Sequence, residues 1–195
     1  MSNDLQPDNF SKENFRDVLK ASYLPQKQAS SYLEDKYGYT YDPSLSSMEQ
    51  KVYVTPSGQP IISERGSKRV SDFAVEDLNI ATGGFFKTPR IKQAEQLAKA
   101  TQEKYGLAPT IVGHSLGGFL AEQGAKKTPN SQVYTYNKAA GIPSAFYERP
   151  KNQTDYRTAL DIPSALSAFQ SGGTSKTLIG NLFSPIASHD IKYLR

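Results

Sequence analysis

The sequence predicts an α/β fold in which a mostly parallel central sheet is flanked by helices, with a helical segment at the N-terminal end. Three observations support this prediction: an apolar β-hairpin pattern, a long amphipathic helix after it, and two short apolar strands separated by a second helix. Strands that alternate with helices indicate a parallel sheet, because each pair of parallel strands needs a crossover connection.

The beginning of the chain is polar but has apolar residues at helical spacing. The stretch "NFSKENFRDVLKASYL" predicts a helix that ends before Pro25, since proline breaks the helical hydrogen bonding. A second helical pattern, "KQASSYLEDKYGYTY", ends at Gly38. We interpret residues 1–48 as a helical cap or lead-in that packs on a catalytic core formed by residues 49–195, all within one domain.

The alternating pattern of the core begins with a hairpin. In "QKVYVTPSGQPIISERGS" apolar residues alternate on both sides of the turn "PSGQ". The next stretch, "TPRIKQAEQLAKATQEKYGLAPT", predicts a helix, because Pro89 suits a first turn and Gly106 can end it. A strand in "PTIVGHS", a helix in "LGGFLAEQGAKK" and a strand in "SQVYTYN" follow. We expect the final third to consist mainly of loops.

Charge and composition narrow the classes of partner. The net charge is only +4, and the basic residues are scattered in short pairs among nearly as many acids. The basic residues do not form a continuous stripe that could contact successive phosphates of a nucleic acid, so nucleic-acid binding is not expected. The chain has no cysteine, which excludes disulfides, a cysteine nucleophile and thiolate metal ligands. We expect neither a cofactor nor a metal ion, and the sequence leaves the oligomeric state open.

The N-terminal sequence bears on where the protein acts. The opening "MSNDLQPDNFSKENF" lacks the basic and apolar regions of a signal peptide. No apolar run approaches the ~18 residues that a transmembrane helix needs. We therefore expect a cytoplasmic protein without a transmembrane segment.

The pentapeptide "GHSLG" lies between a predicted apolar strand and a predicted helix. In this context a GxSxG pattern places its serine on a tight turn, with the hydroxyl exposed above the sheet. The flanking glycines remove side chains that would collide where the strand meets the helix. We predict that Ser115 is a nucleophile and that the N–H of Leu116, at the positive end of the helix, stabilises an oxyanion.

A serine hydroxyl needs a general base, and the chain has two histidines. His114 adjoins the serine within the turn and should point away from its hydroxyl. His189 lies near the end of the chain, after a loop, where the order serine, acid, histidine places the base. We therefore predict that His189 is the general base.

Four acidic residues are candidates for the group that orients this base. Glu122 lies in the helix directly after the serine, and Glu148 and Asp155 lie in the charged run "YERPKNQTDYR", which indicates a solvated surface. Asp161, in "TALDIPSAL", is flanked by apolar residues and a proline, as expected of a buried acid. We favour Asp161 and keep Asp155 as the alternative.

Together these motifs resemble the class 3 lipases, the fungal triacylglycerol lipase-like branch of the α/β-hydrolases. The resemblance covers roughly residues 50 to 193. It rests on "ERGSKRVSDFAVEDL", similar to the family's FRG[ST] motif, on "IVGHSLGGFLAEQGA", similar to its nucleophile turn, and on "VYTYN", similar to its next strand. The resemblance implies that Ser67, which follows Arg-Gly, provides the second oxyanion donor beside Leu116. Glu64 stands where the family has an aromatic residue.

The resemblance implies a serine hydrolase that cleaves carboxylic esters of lipids, as a lipase or phospholipase, through an acyl-enzyme on Ser115. The partner is then a lipid or other ester, with action at a membrane surface or packaging in a virion among the family's settings. Two alternatives remain: a catalytically inactive or structural relative, and an acyltransferase or thioesterase that uses the same site.

Apolar stretches near the predicted site are candidates for binding the acyl chain. They are "ATGGFF" and "LIGNLFSPI", and the residues that we assign to the substrate are Phe85, Phe86, Leu182 and Phe183. Basic residues in the same region suit an anionic or phospholipid head group; they are Lys68, Arg69 and Lys87.

Overall fold

A seven-stranded sheet lies at the centre of the protein. The computed structural model describes residues 10–66, 89–140, 147–159, 161–179, 190–191 and 194. The strands are β1 (Thr40–Tyr41), β2 (Gln50–Val54), β3 (Pro60–Glu64), β4 (Thr110–His114), β5 (Val133–Tyr136), β6 (Gln153–Thr158) and β7 (Thr174–Leu178). They are arranged in this order; the pairs among β1, β2 and β3 are antiparallel and those from β3 to β7 are parallel. The predicted fold class, a mostly parallel α/β sheet, is confirmed.

The strands β2 and β3 form the predicted hairpin. Val54 lies opposite Pro60 in the register, and the N–H of Thr55 donates to the carbonyl of Gln59 at 3.0 Å. Gly58 has φ 91°, a conformation that only glycine adopts readily. The hairpin ends at Glu64, so the chain leaves β3 at the same edge of the sheet as the carboxyl ends of the other parallel strands.

Two N-terminal helices cover one face of the sheet. They are α1 (Lys12–Tyr23) and α2 (Gln26–Tyr37), separated by Pro25 and ended at Gly38, which has φ 69°. Both helices and their ends agree with the sequence prediction. Phe15, Val18 and Leu19 of α1 are fully buried against the sheet. Burying one such side chain contributes about 1.5–3 kcal/mol to stability. The apolar face of α1 is therefore part of the hydrophobic core.

The opposite face of the sheet is covered by α3 (Pro89–Tyr105) and α4 (Leu116–Ala125). Leu97 of α3 and Ala121 of α4 pack with Ile62 and Ile111 of the sheet. Neighbouring strand residues point to opposite faces, so adjacent apolar residues such as Ile61 and Ile62 serve both layers. Among the helices that the structure describes, none has the length and apolar character needed to cross a membrane.

The final third, expected to consist mainly of loops, includes regular elements that the sequence did not indicate. It contains β6, β7, the short helix α5 (Ile162–Ala165) and a 3₁₀ helix (Leu166–Phe169). The strand β6, "QTDYRT", buries four of its six residues although most are polar. Its buried residues are largely polar; Asp155, for example, bonds to Thr135 and Lys138 outside the strand. The apolar periodicity that marks a strand is therefore missing.

Candidate active site

Ser115 occupies the sharp turn between the end of β4 and the start of α4. Its φ of 56° and ψ of −124° are unusual for a residue other than glycine and cost roughly 1–3 kcal/mol. Backbone hydrogen bonds hold the turn: the Ser115 N–H donates to the carbonyl of Tyr136 at 3.0 Å. The Ser115 carbonyl accepts from the N–H groups of Gly118 and Ala139, at 2.9 and 3.0 Å. This is the strand–turn–helix geometry that the sequence predicts.

Two glycines allow the turn to pack closely. A Cβ atom on Gly113 would overlap the backbone of Gly117, and one on Gly117 would overlap the carbonyl of Glu64. The strand β4, the helix α4 and the end of β3 therefore approach one another more closely than any side chain would permit. Both glycine positions of the GxSxG pattern therefore require a residue without a side chain.

Leu116 is the first residue of α4, directly after the serine. The first N–H groups of a helix have no intrahelical acceptor and carry the positive end of the helix dipole. The Leu116 N–H therefore has no intrahelical acceptor, as its predicted role requires, and the role itself stays a prediction. The Leu116 side chain is buried and packs with Ala94 and Phe119, which fixes the start of the helix.

The second predicted oxyanion donor, Ser67, lies outside the described residues, but the chain just before it is described. A Cβ atom on Gly66 would lie 2.7 Å from the His114 carbonyl oxygen and 3.2 Å from Ser115 Cβ. The backbone at Gly66 thus directly contacts the turn at Ser115 between β4 and α4, which we call the nucleophile turn after the predicted role of Ser115. This part of the described chain ends at Gly66, next to Ser115.

Asp161 lies just beyond the end of β6 and is 2% exposed. Its N–H donates to the Thr158 carbonyl at 3.3 Å, and its carboxylate Oδ2 accepts from the Ser164 N–H at 2.9 Å. The charge of Asp161 also affects Tyr136 on the neighbouring strand. The pKa of the Tyr136 hydroxyl is raised mainly by burial and, to a smaller extent, by this charge. Asp161 therefore lies at the same edge of the sheet as the nucleophile turn.

Asp155 is buried within β6, so its expected place on a solvated surface is wrong. It is 2% exposed, and both carboxylate oxygens are occupied. Oδ1 accepts from Thr135 Oγ1 and Gln153 Nε2, both at 2.6 Å, while Oδ2 meets Arg149 Nε at 2.7 Å and Lys138 Nζ at 2.9 Å. Burial alone would raise the pKa of Asp155, but Lys138, Thr135 and Arg149 lower it.

Asp155 belongs to a buried charge network beneath the nucleophile turn. Lys138 Nζ lies 2.7 Å from Glu122 Oε2 and so links α4 to β6. The network contains two carboxylates and two cations: Glu122, Asp155, Lys138 and Arg149. All four are at most 5% exposed, so they need one another to offset the cost of burial. These contacts give Asp155 a structural role and favour Asp161 as the acid.

His114 is held by two aromatic side chains. Its Nδ1 lies 2.7 Å from the Tyr23 hydroxyl, and its ring stacks on Tyr136 with centroids 5.6 Å apart and planes at 23°. These contacts place the His114 ring towards α1 and β5, and the expectation that it points away from the serine hydroxyl stays a prediction.

The predicted base, His189, lies outside the described residues, while its neighbour Asp190 is described. The Asp190 carbonyl accepts a hydrogen bond from the Tyr136 hydroxyl at 3.1 Å. Nearby, Leu194 is fully buried in the core on the α1 side. The predicted substrate residues also fall outside the described ranges; they are Phe85, Phe86, Leu182, Phe183, Lys68, Arg69 and Lys87.

Sequence reasoning missed Tyr23 and Tyr136 as residues around the site. Tyr23 is the last residue of a polar helix, and Tyr136 ends a strand where apolar and aromatic residues are ordinary. Neither position carries a motif, so only the tertiary structure reveals their contacts. Within the described ranges, no cluster of three or more potential metal ligands is present.

Comparison with known proteins places the chain in a family. A phospholipase-like family model, described as a Tle-like phospholipase domain, matches residues 22–187. The chain belongs to this family. No curated protein sequence matches the chain significantly.

The fold is also similar to that of a lipase of known structure. A native lipase–propeptide complex from Rhizomucor miehei aligns with a TM-score of 0.57 and 13% sequence identity. The alignment covers 94% of this chain and 76% of that one. At this identity the similarity supports the α/β lipase-like fold alone, and membership of the class 3 lipases stays a prediction.

Proposed function

We propose that this protein is a serine hydrolase that cleaves carboxylic esters of phospholipids through an acyl-enzyme on Ser115. The observation that carries the proposal is the strained backbone of Ser115 between β4 and α4, because this turn presents a serine at the start of a helix. The phospholipase-like family supports a lipid ester as the substrate.

In the proposed reaction, Ser115 Oγ attacks the ester carbonyl while His189 accepts its proton. Asp161 orients the imidazole and stabilises its positive charge. The N–H groups of Leu116 and Ser67 stabilise the oxyanion of the tetrahedral intermediate. The intermediate collapses as His189 protonates the leaving alcohol. Water, activated by the same histidine, then attacks the acyl-enzyme and releases the carboxylic acid.

The proposed substrate contacts come from the two apolar stretches and the basic residues of the sequence. Phe85, Phe86, Leu182 and Phe183 would receive the acyl chain, since burying methylene groups against such side chains is favourable. Positive charge at Lys68, Arg69 and Lys87 would favour an anionic head group.

The proposal is tested by measuring fatty acid release from phospholipid vesicles and from triacylglycerol emulsions. The wild type should release acid faster from anionic phospholipid than from the neutral ester, and Ser115→Ala should release none. Ser31→Ala, an exposed serine on α2, is the matched control and should retain full activity. Release by Ser115→Ala at the wild-type rate would contradict the proposed nucleophile, and equal rates on both lipids would contradict the phospholipid preference.

A further inference from the structure

The end of α1 reaches the nucleophile turn through a single hydroxyl group. The Tyr23 hydroxyl lies 2.7 Å from His114 Nδ1, although the two residues are 91 positions apart in the chain. The same hydroxyl oxygen accepts the backbone N–H of Gly66 at 3.2 Å. Burial raises the pKa of Tyr23 to about 12, so the hydroxyl keeps its own proton at neutral pH. One side chain thus joins the residue before Ser115 to the residue before Ser67.

Gly66 packs closely against the Tyr23 hydroxyl and the nucleophile turn. A Cβ atom on Gly66 would lie 2.8 Å from the Tyr23 hydroxyl and 3.2 Å from Ser115 Cβ. Gly66 therefore lies directly next to both the tyrosine hydroxyl and Ser115. A shift of Gly66 away from Ser115 would break its hydrogen bond to Tyr23.

The peptide before Gly66 is fixed from the other side of the sheet. Arg90 Nη2, at the start of α3, donates to the Arg65 carbonyl at 2.7 Å, and the Arg65 N–H donates to the Glu49 carbonyl at 2.9 Å. Arg90 Nε also pairs with the Glu49 carboxylate at 3.4 Å. The backbone of residues 65–66 is therefore held by groups from α1, α3 and the segment before β2.

We propose that Tyr23 is a positioning residue that holds the backbone of Gly66, the residue before the proposed oxyanion donor Ser67, against the nucleophile turn. This inference rests on the proposed function for its catalytic consequence. An oxyanion donor must lie within about 2.7–3.1 Å of the developing charge, and loss of one donor costs about 10²–10³-fold in kcat. A donor that is loosened, but still present, should cost less than its removal.

The test compares Tyr23→Phe with Tyr37→Phe. Tyr37 donates to the buried Asp17 at 2.7 Å where α2 packs on α1, so its variant also loses tyrosine hydrogen bonding. Tyr23→Phe instead loses the contacts to His114 and Gly66. On a short soluble ester, Tyr23→Phe should lower kcat about tenfold with KM within about twofold of the wild type. Tyr37→Phe should leave both constants unchanged, while both variants unfold at lower denaturant concentration. A purely structural role for Tyr23 would give the two variants the same kcat and would overturn the inference.

Amide hydrogen exchange separates this inference from the proposed function. Tyr23→Phe should accelerate exchange of the Gly66 N–H at least tenfold, relative to the wild type and to Tyr37→Phe. Unchanged exchange would overturn the inference even if the wild type hydrolyses esters. If wild-type activity equals that of Ser115→Ala, the proposed function fails, and the exchange rate of Gly66 still decides whether Tyr23 holds this loop.

Discussion

The Tyr136 hydroxyl donates a hydrogen bond across 3.1 Å to the backbone carbonyl of Asp190. The backbone carbonyl of the same tyrosine accepts the N–H of Ser115 at 3.0 Å. The end of β5 is therefore connected both to the nucleophile turn and to the residue that follows the predicted base, His189. The charge of Asp161 contributes, after burial, to the raised pKa of this hydroxyl. Tyr136 is thus linked to Ser115 and Asp161 and, through the neighbouring Asp190, to the position of the third proposed triad residue in the chain.

Replacing Tyr136 with phenylalanine should lower activity while keeping the fold. The ring can still stack on His114, but the hydrogen bond to Asp190 is lost, which is worth about 0.5–1.5 kcal/mol. We expect kcat on a short ester to fall roughly three- to tenfold if most of that energy positions His189. Tyr53→Phe is the control, because among the described residues the buried Tyr53 hydroxyl has no partner to lose. Equal kcat values for the two variants would contradict this role of Tyr136.

Asp161→Asn should abolish most catalysis without unfolding the protein. An asparagine can still accept the Ser164 N–H, so the start of α5 remains capped. It cannot stabilise the charged imidazole, and loss of a triad acid costs about 10⁴-fold in kcat. The measurement is kcat together with the free energy of unfolding.

Asp155→Asn should give the opposite pattern. Removing one charge from the buried network leaves Lys138 and Arg149 with an excess of positive charge, at a cost of about 3–5 kcal/mol in stability. The kcat of the molecules that remain folded should stay near the wild-type value. A 10⁴-fold loss in Asp155→Asn, with Asp161→Asn still active, would transfer the role of the acid to Asp155.

Gly117→Ala should prevent the nucleophile turn from forming its native packing. The added Cβ would overlap the Glu64 carbonyl, and both groups belong to backbone that cannot easily move. We expect a loss of about 1–3 kcal/mol or more in the free energy of unfolding, measured by chemical denaturation.

Gly124→Ala tests the same helix without such an overlap. Its added Cβ would approach the Ala94 carbonyl oxygen at 3.3 Å, and alanine favours a helix by about 0.5–1 kcal/mol over glycine. We expect stability within about 1 kcal/mol of the wild type. A comparable loss in the two variants would contradict a specific contact at Gly117.

Glu64→Gln should change how stability depends on pH. Glu64 is 1% exposed and accepts from Gln50 Nε2 at 2.8 Å, and burial raises its pKa from 4.5 to about 7. Arg90 lowers this pKa and Glu49 raises it, both by smaller amounts. The folded state therefore keeps a proton that the unfolded state releases at lower pH. Wild-type stability should fall as the pH rises from about 4.5 to 7 and remain reduced above it.

The glutamine variant should lack this pH-dependent loss. A shift of this size corresponds to about 3 kcal/mol, so Glu64→Gln should be more stable than the wild type at pH 8 by an amount of this order. Near pH 5 the two proteins should differ little. Denaturant titrations at both pH values measure the difference, and parallel pH profiles for the two proteins would contradict a protonated Glu64.

The sequence predicts the elements whose apolar periodicity is local. The helices α1 to α4, the hairpin and the strands β4 and β5 all follow from short-range spacing and turn residues. The strand β6 could not be predicted in this way, because the burial of Asp155 depends on partners outside that strand, among them Lys138 and Arg149.

The same distinction holds for the candidate site. The turn at Ser115 was predictable because strand, glycines and helix are contiguous in the chain. The contact of Tyr23 with His114 was not predictable, because it joins residues 91 positions apart. The roles of Ser67 and His189 rest on the sequence and stay predictions.

Covalent labelling with a fluorophosphonate tests the central claim most directly, because this reagent reacts with an activated serine nucleophile independently of the lipid substrate. Mass spectrometry of the wild type should locate one adduct on Ser115, and Ser115→Ala should carry none. Absence of label in the folded wild type, or label that persists in Ser115→Ala, would contradict the account.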